Sequence, residues 1–169
     1  MGSEMCIRDR GVNNLEFLRA SFNSLCEFHG SAPLDEEEFK MFASEKTAAL
    51  GFGDPFLTRD LNADFSGGEK KRNEMIQLSV LNPKLAIMDE TDSGLDVDAL
   101  REVGGALNNL HHSENAYIMA THDERLLEIV KPDFVHVFYD GKIIKTADHS
   151  IVKEIDERGY DWLTEKGQS

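Results

Sequence analysis

The chain has 169 residues, of which 40% are apolar and 30% charged, and a formal net charge of −14. This composition supports one packed domain, or a large piece of one, and excludes wholesale disorder. The acidic balance excludes a duplex-coating protein and a polybasic membrane-surface protein, both of which need clustered positive charge. No apolar run reaches the roughly 20 residues that span a bilayer, and no secretory signal is visible.

Residues 1–10 follow neither a helical nor a strand period. They read equally as a leader foreign to the domain and as a frayed native terminus. From Val12, apolar residues at Val12, Leu15, Leu18, Phe22, Leu25 and Phe28 recur in steps of three and four. This predicts a helix, which Gly30 and Pro33 end. Asp35 with Glu38 starts a second helix, with Phe39, Phe42, Ala49 and Leu50 as its stripe and Gly51 as its cap. Residues 51–64 are turn-rich. Ser66 with Glu69 is another capping box and predicts a helix to Leu81, stopped by Asn82-Pro83.

The second half changes character. Leu85 to Met88 is a short apolar run, the mark of a strand buried on both faces. Val97, Leu100, Val103, Leu107 and Leu110 give a helical stripe. Residues 116–120 predict a second buried strand, and 123–130 a short helix. Residues 134–139, Asp140-Gly141 and 142–146 read as a hairpin with a type I′ turn. Ile151, Val152 and Ile155 suggest a last helix. Strand, helix, strand, helix implies an α/β fold with a parallel sheet and crossover helices.

Four segments carry chemistry. Ser66-Gly67-Gly68-Glu69 opens a helix with two glycines, so free N–H groups and positive dipole are accessible to an anion. An ordinary capped helix with a glycine-containing turn fits the same residues. Asp89 and Glu90 follow an apolar strand, at the carboxyl end where α/β folds bind ligands. Asp89 suits a hydrated Mg²⁺, and Glu90 can orient or deprotonate a water aimed at a phosphoryl group; a solvated strand end is the plainer alternative. Ser93-Gly94-Leu95-Asp96 is a tight turn into the next helix. Thr121-His122-Asp123 follows the second strand, where an imidazole can touch a terminal phosphate.

In this order and at these spacings the four segments resemble the nucleotide-binding domain of ABC-type ATPases. SGGEKKR is similar to the signature motif, LAIMDE to the Walker B strand, SGLD to the D-loop and THD to the H-loop. GVNNLEFLRASFN, DETDSGLD, PDFVHVFYDGKI and the terminal GYDWL narrow the resemblance to the ATPases of the SUF iron–sulfur cluster assembly machinery. The resemblance implies a cytoplasmic ATPase that works with SufB- and SufD-like scaffolds, without nucleic acid or membrane insertion, and dimerises transiently on ATP. It implies ATP and Mg²⁺ as ligands. It also implies Ser66, Gly67, Gly68 and Glu69 meeting the γ-phosphate in trans, Asp89 serving Mg²⁺ through water, Glu90 activating water and His122 contacting the γ-phosphate. Lys71, about one turn into the signature helix, is a candidate regulatory contact for Glu90 or Asp92; a solvated lysine in a KKR run is the alternative.

No G-x-x-x-x-G-K-[ST] loop occurs in the sequence, nor is the family's Q-loop region visible. The expected organisation is a non-native leader over 1–10, a helical subdomain over 11–82 ending in the signature helix, and the C-terminal half of the ATPase core over 83–169. Such a chain is expected to be inactive alone and to expose apolar surface. Two other functions fit the motifs: the ATPase subunit of an ABC membrane transporter, and a non-enzymatic binding module that retains the fold. Cys6 and Cys26 are too few for a disulfide framework and too isolated for zinc, which fits a reducing compartment.

Overall fold

Helix α1 (Asn14–Phe28) begins where the Asn13 side chain accepts from Leu15 N–H. The computed structural model describes residues 11–53, 55–61 and 65–163; the expected leader over 1–10 lies outside them. Only the middle of the α1 stripe is packed. Leu18 is fully buried, whereas Val12 and Leu25 are partly exposed and Phe28 is 83% exposed. The helix outruns the layer beneath it.

Helix α2 (Glu36–Ala49) carries both halves of the Asp35–Glu38 capping box. Its buried face is Phe39, Ala43 and Thr47, with Phe42 and Leu50 half-buried; Ala49, placed in the stripe by sequence, faces solvent. Gly51 takes φ +76°. Its N–H donates to Ala48 O at 2.9 Å and Phe52 N–H to Thr47 O at 3.1 Å, closing the helix. The turn-rich stretch contains a short helix, α3 (Pro55–Thr58), that periodicity did not reveal, because four residues are too few to show a period. Helix α4 (Gly67–Leu81) follows, capped by Ser66.

Strand β1 (Leu85–Asp89), helix α5 (Val97–Leu110), strand β2 (Ala116–Ala120) and helix α6 (Glu124–Val130) form a parallel unit. Strands β3 (Val135–Tyr139) and β4 (Lys142–Ala147) pair antiparallel, with a bulge at Val137/Phe138. Asp140 and Gly141 take φ +47° and +73°, as a type I′ turn requires. Helix α7 (Ser150–Arg158) packs Ile151 and Ile155 on Val137. The two sheets are separate pairs, β1–β2 and β3–β4.

One core packs Leu18, Phe39, Ala43, Leu57, Ile76 and Val80. A second packs Met75, Leu95, Leu100, Val103, Leu107 and Leu126 with their neighbours. Helix α4 serves both, giving Ile76 and Val80 to one and Met75 to the other.

The expectation that β1 and β2 are buried on both faces is corrected. Ala86, Met88, Tyr117 and Met119 face the second core, whereas Ile87 is 74% and Ile118 55% exposed. Among the described residues, α5 and α6 cover only one side. The bare side of β1 borders an apolar groove of about 1090 Å³ that extends between α1 and α4.

Close packing of α5 on α6 needs Gly104. A Cβ there would lie 2.6 Å from Ile129 Cγ2. Gly104→Val is expected to lower the unfolding free energy by about 2 kcal/mol in urea titrations. Gly105→Ala, with nothing within 4 Å of its added carbon, should raise it by about 0.5–1 kcal/mol through helix propensity. Equal responses at the two positions would refute this packing account.

Candidate functional site

The mouth of α4 is built from local sequence. Ser66 Oγ accepts from Glu69 N–H at 3.3 Å, and Glu69 Oε2 accepts from Ser66 N–H at 2.8 Å. Arg59, which sequence reasoning missed, adds Nη1 to Glu69 Oε1 at 2.7 Å and lays its guanidinium over the Phe65 ring at 4.2 Å. The Ser66 N–H and then the Arg59 hydrogen bond hold the Glu69 carboxyl at about 2, well below its usual range. Neither Gly67 nor Gly68 has positive φ, and a Cβ at either would meet nothing closer than 3.8 Å. Both stand in the first turn, and no described neighbour requires a glycine at either position. What they leave is open backbone.

The strand tips converge because β1 and β2 are in parallel register. Asp89 pairs with Ala120, and Glu90 N–H donates to Ala120 O at 3.0 Å. The next residues of β2's chain are Thr121 and His122, so both acids and the imidazole-bearing residue emerge at one sheet edge. Glu90 has φ +49°, a strained conformation for a residue with a side chain. Its carbonyl accepts from Ser93 N–H at 3.1 Å, and Asp92 O accepts from Leu95 N–H at 3.2 Å. These bonds fold the Ser93-Gly94-Leu95-Asp96 turn, with Gly94 at φ +73°. Leu95 is buried in the second core, and Asp96 caps α5 by accepting from Ala99 N–H at 2.8 Å.

The turn also touches the helix mouth. A Cβ on Gly67 would sit 4.0 Å from Gly94 O, and one on Gly68 3.8 Å from Ala99 Cβ. The signature turn and the SGLD turn are therefore neighbours. Thr91 and Asp92 are both buried there, and among the described residues Asp92 Oδ1 has no hydrogen-bond partner. His122 is exposed; beside it Asp123 caps α6 and holds Arg125, whose guanidinium keeps the Asp123 carboxyl below its usual range.

Lys71 finds a partner on its own helix. Its ammonium sits 3.1 Å from both Glu74 carboxylate oxygens, one turn along the same helix, in place of a contact with Glu90 or Asp92. Arg59 left no periodic signal in the sequence, because it stands in a turn; its one clue is a cation ten residues before the capping glutamate.

On α6, burial and then the neighbouring Asp156 push the Glu124 carboxyl upward. A raised carboxyl contributes stability below its ordinary value of 4.5. That contribution is lost as pH rises through the raised value. Glu124→Gln should therefore raise Tm at pH 7. The gain should vanish near pH 4 in paired melts; a pH-independent gain would discount this origin.

The fold is that of part of an ATP-binding cassette of the ABC type. Its backbone superposes on MJ1267, an ATP-binding cassette of an ABC transporter, with a TM-score of 0.67 at 21% identity over 89% of this chain and 61% of that one. By sequence, the chain is similar to SufC and ycf16 proteins. It is 46% identical over 156 residues to the probable ATP-dependent transporter SufC of Escherichia coli, covering 92% of this chain and 63% of that protein. It is 48% identical over 153 residues to ycf16 of Guillardia theta, covering 90% of this chain and 60% of that protein. The chain thus spans about three fifths of the length of these curated relatives. No family model matches it. Among the described residues no helix is long and apolar enough to cross a membrane.

Proposed function

We propose that the chain supplies the signature, Walker B, D-loop and H-loop portion of a cytoplasmic ABC-type ATPase that powers iron–sulfur cluster assembly with SufB- and SufD-like scaffold proteins. Residues 11–82 form its helical subdomain and 83–169 the C-terminal half of its core. The observation that carries the reading is the edge where the Asp89-Glu90 tip lies against Ala120, two residues before His122.

In this reading two domains meet head to tail around ATP. Ser66 and the Gly67 and Gly68 N–H groups receive γ-phosphate oxygens of a nucleotide held by the other domain. Glu90 accepts a proton from the attacking water, and His122 donates to the γ-phosphate. The site's donor set fits Mg²⁺. Asp89 is an exposed carboxylate at the strand tip, a hard oxygen donor of the kind Mg²⁺ takes beside its own waters. Asp89 would hold the ion through water, and the ion would neutralise phosphate charge.

The direct test fuses the chain to the amino-terminal two fifths of a SufC relative and measures phosphate release from Mg-ATP. Hydrolysis by the fusion, with none by the chain alone, is expected. A fusion that dimerises on ATP without releasing phosphate would favour a binding module. Capture of membrane subunits rather than SufB/SufD-like proteins would favour a transporter ATPase, the reading that the relatives' names suggest.

A further inference from the structure

We propose that Arg59 is a positioning residue for the signature turn: it draws the Glu69 carboxylate onto the Ser66 side of the helix mouth and cancels its charge, leaving the Gly67 and Gly68 N–H groups open to a phosphoryl oxygen. The inference rests on the reading of that turn given above and assigns a role to a residue outside the four motifs.

Glu69 poses an electrostatic difficulty. A carboxylate in the first turn stabilises the helix, yet a second anion arriving at the same turn would be repelled. The structure resolves the conflict by geometry. One Glu69 oxygen accepts from Ser66 N–H at 2.8 Å, and the other meets Arg59 Nη1 at 2.7 Å. Among the described residues, no acceptor is present for the Gly67 or Gly68 N–H.

Arg59 is itself fixed. Its carbonyl accepts from Asn14 N–H at 3.0 Å, and Leu61 N–H donates to Val12 O at 2.8 Å, pinning the segment to the start of α1. Thr58 O accepts from Asn13 Nδ2 at 3.0 Å. Stacking on Phe65 orients the guanidinium plane. A lysine would keep the charge that offsets Glu69 and lose only the stack on Phe65. The two glycines supply the independent sign that something approaches: they are helical, open and unexplained by any neighbour.

The test follows the backbone amides of Gly67 and Gly68 by NMR in the 169-residue chain during titration with inorganic phosphate. Saturable shifts are expected in the parent, with affinity about fivefold weaker in Arg59→Gln. Arg59→Gln combined with Glu69→Gln should bind within about twofold of the parent, because the charge to be cancelled is gone. Parent amides that do not respond, an unchanged affinity in Arg59→Gln, or a double variant as weak as the single would each overturn the proposal; the last would mean that Arg59 contacts phosphate itself. If Arg59→Gln fails to fold, Arg59→Lys decides: binding like the parent supports the role, and loss of binding in a folded protein refutes it. ATP hydrolysis by the fusion protein tests the wider reading separately, so an active fusion with flat phosphate titrations removes only the role of Arg59.

Discussion

Glu90→Gln in the fused protein is expected to slow ATP hydrolysis by about 10²–10⁴-fold while changing ATP affinity by no more than about threefold. The substitution is nearly isosteric and keeps the backbone bonds that fix the residue, from Glu90 N–H to Ala120 O and from Ser93 N–H to Glu90 O. It removes only the capacity to take a proton. The strained φ of +49° is held by the surrounding turn and should survive. Single-turnover phosphate release and nucleotide titration separate the two effects. A rate within tenfold of the parent would dismiss Glu90 as the base.

The second large effect concerns stability. Asn14→Ala should cost about 3 kcal/mol in chemical denaturation of the chain. Asn14 is fully buried; its Nδ2 donates to Asn73 Oδ1 at 2.6 Å and to Phe56 O at 2.9 Å. Truncation takes the donor from the buried Asn73 Oδ1 and from the part-buried Phe56 O, and opens a small cavity. Among the described residues, Asn14 Oδ1 and Asn73 Nδ2 already lack partners, so the pair is a single link rather than a satisfied network. For that reason the double replacement Asn14→Leu with Asn73→Leu should cost less than the sum of the singles. A loss below 1 kcal/mol for Asn14→Ala would show that water relieves the site.

Much of the fold was legible because its signals are local. Both capping boxes form as their spacing implies, since a side chain three residues from its partner needs no tertiary help. Asp140-Gly141 gave the hairpin for the same reason. Local signals failed where the outcome depends on what packs opposite. The apolar run at 85–88 looks the same whether one face or two are covered, and here Ile87 faces outward. Val12 and Phe28 kept the helical period beyond the reach of the layer that buries Leu18.

The candidate site was read in part. The strand tips and the two turns follow from motif order, and the register brings their backbones to one edge. Arg59 and its hold on Glu69 depend on a turn meeting a helix, a contact no period encodes. For Lys71 the sequence left two readings open, a contact with Glu90 or Asp92 and a solvated lysine. Charge alone allowed several partners, and the nearest acid on its own helix, Glu74, holds it in this state.

Helix α4 has 15 residues, a length of about 22 Å. It rests in two hydrophobic beds, and Asn73 ties it to Asn14 between them. Such a rod cannot bend locally without loosening both beds. Any change in the tilt of its mouth at Ser66 therefore has to be accommodated at its other end, where Asn82 Oδ1 lies 3.3 Å from His112 Nε2.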